Sequence, residues 1–135
     1  MSSLTMILTK LVLKTIKAEL DALGYSNYLY VAPQDAVYPF VTFFPVSDTI
    51  EYTFGQVLEY INIQLTIYSE GSDCLPLLTM SQAIEEAMDE LSASEGGYTI
   101  FCTHRTNEIG PEYLETEHYW QSIIELEFMT YRDKV

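Results

Sequence analysis

Positive charge is what this chain has least of. Six Lys and Arg stand against twenty Asp and Glu over 135 residues, a net charge of −14. Three of the six basic residues fall together at Lys10, Lys14 and Lys17, and from Ala18 to Tyr131 the only base is Arg105. Such a surface repels phosphate and argues against direct nucleic-acid binding. Solubility alone accounts for an acid excess. Two sharper uses exist: an acidic mimic of DNA that occupies a DNA-binding protein, and a channel wall past which DNA slides without sticking.

Cysteine is scarce as well. Cys74 and Cys102 are distant and unaccompanied, so reduced thiols are expected. No apolar run approaches the roughly 20 residues that span a bilayer, and no membrane is expected as a partner. In the first twenty residues, MSSLTMILTKLVLKTIKAEL, the lysines lie inside and after the apolar part and no small-residue cleavage site follows. This stretch is therefore expected to be a helix of the mature protein, not a signal peptide.

Catalytic signatures are missing too. There is no phosphate loop, no glycine-rich dinucleotide fingerprint, no CxxC, no GxSxG and no HExxH. One constellation could hold a metal, namely His104 with His118, Glu115 and Glu117, if the strands around them pair with both histidines at a loop mouth. Its ligands would flank a loop with no visible supporting shell, so ordinary strand-end histidines are the expectation. Cys102 and His104 share a strand face, but nothing orients the histidine as a base. The chain is read as no enzyme, without cofactor or metal.

What is present is a single domain, 1–135, with patterned apolar residues; 48% of the chain is hydrophobic, enough to build one proper core. Leu4 to Leu23 reads as a helix capped by Ser3 and stopped by Gly24. Lys10, Lys14, Lys17 and Asp21 share a narrow stripe, and the apolar arc is wider than the ~100° or so of an ordinary surface helix. The helix is therefore expected to touch its own sheet and something else. Glu19 projects from the apolar side, either as a snorkelling side chain or as half of an inter-subunit ion pair.

Three extended segments follow: Tyr28 to Val31, Phe40 to Val46 (with Pro45 marking an edge or bulge) and Val57 to Tyr68. The last is the clearest strand in the chain. Val57, Ile61, Ile63, Leu65 and Ile67 alternate with Leu58, Tyr60, Asn62, Gln64, Thr66 and Tyr68. The connection SDTIEYTFG, Ser47 to Gly55, is too long for a tight turn. It alternates Ile50, Tyr52 and Phe54 with polar residues, which fits either a hairpin extension on its own domain or an arm that reaches a partner.

SEGSD turns the chain into a second helix, Leu75 to Leu91, with Pro76 in its first turn. Its outer side holds Gln82, Glu85, Glu86 and Asp89, acids that the helix dipole disfavours so near a C-terminus. That side is either well solvated or faces a cationic partner. SASEGG ends the helix. Two more strands, Tyr98 to His104 and His118 to Tyr131, flank a long acidic loop from Arg105 to Glu117 that contains Tyr113. The order α-β-β-β-α-β-β reads as α+β: a mostly antiparallel sheet of about four or five strands with both helices on one face. Tyrosine is abundant, eleven against one Trp, and suits half-buried sheet positions or contacts between copies.

Three stretches carry a family resemblance. AVYPFVTF (Ala36 to Phe43), YINIQLTIYSEGSD (Tyr60 to Asp73) and LETEHYWQSIIELEFMTY (Leu114 to Tyr131), in this order behind a leading helix, resemble the tail-terminator or tail-completion proteins of long-tailed bacteriophages, also called minor tail or head-to-tail joining proteins. The resemblance covers nearly the whole chain. It implies a virion structural protein of the tail or neck, assembled in the host cytoplasm. Such a protein forms a homo-oligomeric ring, commonly a hexamer, that caps the head-proximal end of the tail tube, ends its polymerisation and joins it to the head connector. Implied partners are further copies of itself, the tail tube protein and the head connector; DNA passes through without specific binding. The expected contact residues are Glu19, Ile50, Tyr52, Phe54, Glu85, Glu86, Asp89 and Tyr113. Another neck or head-completion protein, and an acidic DNA-mimic inhibitor, are the other readings.

Overall fold

The computed structural model describes residues 2–53, 56–71, 73–89 and 91–132. Helix α1 spans Ser2–Leu23 and is followed by strands β1 (Ser26–Leu29), β2 (Phe40–Thr53) and β3 (Gln56–Ser69). Helix α2 (Leu75–Met88) leads to β4 (Ser92–Glu95), β5 (Tyr98–Leu114) and β6 (Tyr119–Arg132). The strands form one sheet in the order β1-β2-β3-β6-β5-β4, antiparallel except for the parallel pair β1–β2. The class is the α+β expected, but the sheet has six strands, not four or five. The extra strand is β4. SASEGG does not merely end a helix; it pairs Ser92–Glu95 with Tyr98–Phe101 around Gly96–Gly97. Both glycines have positive φ, 59° and 82°, the conformation a two-residue hairpin turn requires.

At the centre, Ile61, Ile63, Leu65 and Ile67 of β3 lie opposite Phe128, Leu126, Ile124 and Ser122 of β6. All eight are buried, and the apolar ones join the single core that both helices cover. The alternation read from the sequence is therefore the true face assignment. Leu8, Leu11, Val12, Ile16 and Leu20 of α1 and Leu77, Met80, Ile84 and Met88 of α2 complete that core. Burial of each large side chain contributes roughly 1.5–3 kcal/mol.

The sheet is curled. Helix α1 contacts β1 at one edge and β4 at the other, so the wide apolar arc of α1 serves two sheet edges and α2 within one chain. Its lysine stripe fastens both sides. Lys14 Nζ reaches Glu95 Oε1 on β4 at 3.4 Å. Lys17 Nζ donates to Asn27 Oδ1 on β1 at 3.1 Å, and the Asn27 amide donates to Asp21 Oδ1 at 2.7 Å. The helix has already begun at Ser2, so Ser3 lies inside it and is not its cap. Gly24, at φ 83°, ends it as expected, its N–H donating to Asp21 O.

Of the two readings of the Ser47–Gly55 connection, the hairpin extension holds through Thr53, and most of the expected Arg105–Glu117 loop is strand as well. β2 runs on to Thr53 and pairs with β3 as far as Thr53↔Gln56, with Val46 as the extra residue of a bulge after Pro45. The acidic stretch after His104 is the second half of β5. The register of this strand shifts three times, at 102/104, 105/107 and 109/112, and each bulge resets the alternation, so no single period marks it in the sequence. The true loop is only Glu115–His118. Consequently His104 pairs with Glu127 while His118 lies in the turn beside Tyr119, eight residues from Glu127 along β6. The His–Glu metal constellation is not assembled.

At Gly110 the backbone of β5 crosses Ser122 so closely that a Cβ would stand 2.7 Å from Ser122 Oγ and 2.9 Å from Ser122 Cα, at φ +151°. Gly110→Ala is therefore expected to cost about 2–4 kcal/mol from backbone strain and overlap. A urea titration should show a lower midpoint with an unchanged slope.

Candidate assembly surface

The arm at the β2–β3 hairpin is built by a mismatch in strand length. β1 pairs only with Phe40–Phe43, so β2 beyond Phe43 has no neighbour on its outer side. Every residue from Val46 to Glu51 is exposed, which for a strand means both faces are open. Ile50 is 40% and Val46 50% exposed. By register Ile50 falls on the helix-side face, opposite Glu59. Phe54 lies outside the described residues, as does the Tyr52 side chain.

One carboxyl is buried beneath the arm and a second belongs to it. Glu59 is only 3% exposed and continues the inward row of β3 past Ile61. Asp48, diagonal to it on the same face, hydrogen-bonds to it, a pairing that requires a shared proton. Burial raises the Asp48 carboxyl above its ordinary value, and the bond to Glu59 offsets part of this. The sequence gives no sign of this pair, because Glu59 occupies an inward position that usually holds an apolar residue.

The outward face of the sheet carries an aromatic array at the opposite end. Phe40 and Tyr68 are register partners with ring centroids 4.9 Å apart. Tyr38 packs on Phe40 at 5.1 Å, Tyr119 meets Tyr68 edge-on at 5.3 Å, and Tyr28 meets Phe40 at 5.9 Å. The crowding raises the Tyr119 hydroxyl, first by burial and then through Tyr68, Glu117 and Tyr38. The abundance of tyrosine was a legible signal. Its gathering here depends on pairings across four segments.

Other expected contact residues do not converge. Tyr113 packs against Trp120 at a tilt, centroids 5.0 Å apart, and Trp120 Nε1 donates to Gly71 O at 3.1 Å. Trp120 pairs with Ser69 and Ile50 with Glu59, ten residues apart on β3 and hence roughly 33 Å along the strand. On α2, Glu86 and Asp89 are exposed and Glu85 is half-buried. Gln82 Nε2 donates to Glu86 Oε1 at 3.2 Å. Glu19 is half-buried on α1.

A groove runs between α1 and the β1 edge. Leu13, Leu29 and Phe43 form its apolar floor and Lys10, Lys14 and Lys17 its rim, around a volume of about 500 Å³. The sequence showed the lysine stripe but not the apolar strand residues that face it. Among the described residues no cluster of three His, Cys, Asp or Glu could hold a metal, and no helix is long and apolar enough to cross a membrane.

Asp48→Asn tests the carboxyl pair. With a raised native pKa, protonated Asp48 adds stability below about 3.8, and this is lost as pH rises through the native value. The amide cannot ionise, so the variant should exceed the parent's urea midpoint near neutral pH. The gain should shrink toward about pH 3.5.

No protein-family model matches the sequence, and no curated protein matches it.

Proposed function

We propose that this protein is a tail-terminator-like structural protein. It would form a ring at the head-proximal end of a phage tail tube, end tube polymerisation and present the joint to the head connector. The reading starts from the resemblance in three sequence stretches. The structural observation that supports it is the exposed β2 arm, Val46 to Glu51, open on both faces and along one edge. An extended, partly apolar strand with a free edge is suited to meet another chain. In a ring each copy contacts its neighbour through two different surfaces, and here the arm and the α1–β1 groove are unlike.

In this role the chain carries out no covalent chemistry and needs no cofactor. Its partners are further copies of itself, the tube protein and the connector. The net charge of −14 keeps the wall of a DNA passage from binding what moves through it. The proposed location is the neck of the virion, after assembly in the host cytoplasm.

Multi-angle light scattering with negative-stain electron microscopy tests the reading, on the protein alone and with purified tail tubes. Rings of about six copies, or rings seated on tube ends, are expected. A chain that stays monomeric in both settings would overturn it.

A further inference from the structure

The lysines of α1 are half of all the positive charge in a chain that carries −14. They also border an apolar groove. Lys14 and Lys17 each have a carboxylate nearby, Glu95 at 3.4 Å and Asp21 at 3.8 Å. Their side chains nevertheless remain 67% and 58% exposed, so these ion pairs are weak and leave the cations open to a second partner. Among the described residues, Lys10 is exposed and makes no ion pair.

Two copies of so acidic a chain repel each other over most of their surfaces. Contact is favourable where this stripe meets carboxylates. The β2 arm has the matching chemistry: Ile50 is an exposed apolar side chain, and the exposed acid Glu51 follows it on the other face of a strand with a free edge. On the acceptor side, Leu29 is 48% exposed at the groove and belongs to β1, itself an edge strand. Backbone pairing is therefore open to an incoming strand as well.

We infer that the β2 arm of one copy seats in the α1–β1 groove of the next. Ile50 lies against Leu13 and Leu29, and the Glu51 carboxylate lies against the lysine rim. Because donor and acceptor surfaces differ, the contact runs head to tail and closes where the rotation per copy divides a full turn. The inference rests on the ring reading and names the contact that would build it.

A photo-cross-linking amino acid at Leu13, in a mixture of isotopically light and heavy copies, tests the contact when read by mass spectrometry beside light scattering. The expected product joins residue 13 of one copy to residues 46–53 of another. Lys10→Glu and Glu51→Lys should each raise the concentration needed for half-assembly by about five- to tenfold, and the double swap should recover most of the loss. Rings whose cross-links fall outside the arm, or single swaps that add without compensation, overturn the arm contact and leave the ring standing. Cross-links to the arm within a closed dimer support the contact and overturn the ring. A monomer without cross-links overturns both, and a cross-link to a co-purified anionic amphiphile overturns the arm as occupant.

Discussion

Ile63 and Leu126 face each other at the middle of the sheet, and the remaining architecture depends on their register. A slip of one residue would turn the rows Ile61–Ile67 and Ile124–Phe128 toward solvent. Neither helix would then have a surface to cover. With the register held, one sheet face is apolar along its length and α1 and α2 must lie on it. The curl follows from the same requirement, because α1 spans from β1 to β4 and draws the two edges toward itself.

What lies beyond that central pair follows from strand lengths. β1 and β4 are four residues each, while β2 and β3 have fourteen. The mismatch leaves ten of the fourteen β2 residues, Phe44 to Thr53, without an outer neighbour, and this is where the exposed arm arises. The lysine-rimmed groove adjoins the same short strand, with Leu29 of β1 and Phe43 of β2 in its floor.

The central fold was legible because β3 and β6 alternate without interruption and α1 ends at a glycine that can adopt positive φ. β4 was not legible: four residues with a single half-buried side chain, Ala93, present no period. The far half of β5 was hidden by bulges. At the candidate surface, Ile50 stood out by alternation, and exposure at this position follows from the missing neighbour. The Asp48–Glu59 pair was invisible, since a carboxylate in an inward row looks like an exposed residue until the diagonal partner is known. The fastening of both sheet edges by Lys14 and Lys17 likewise needed the curl, which local sequence does not encode.

The three bulges of β5 also bear on how the chain can change. β5 uses seventeen residues to follow fourteen on β6, and the surplus sits where the ladder is already interrupted. A residue inserted or removed near 103 or 106 would alter a bulge and leave the inward rows of β3 and β6 in place. The outer strand thus acts as a length buffer, absorbing insertions and deletions that would be ruinous two strands away.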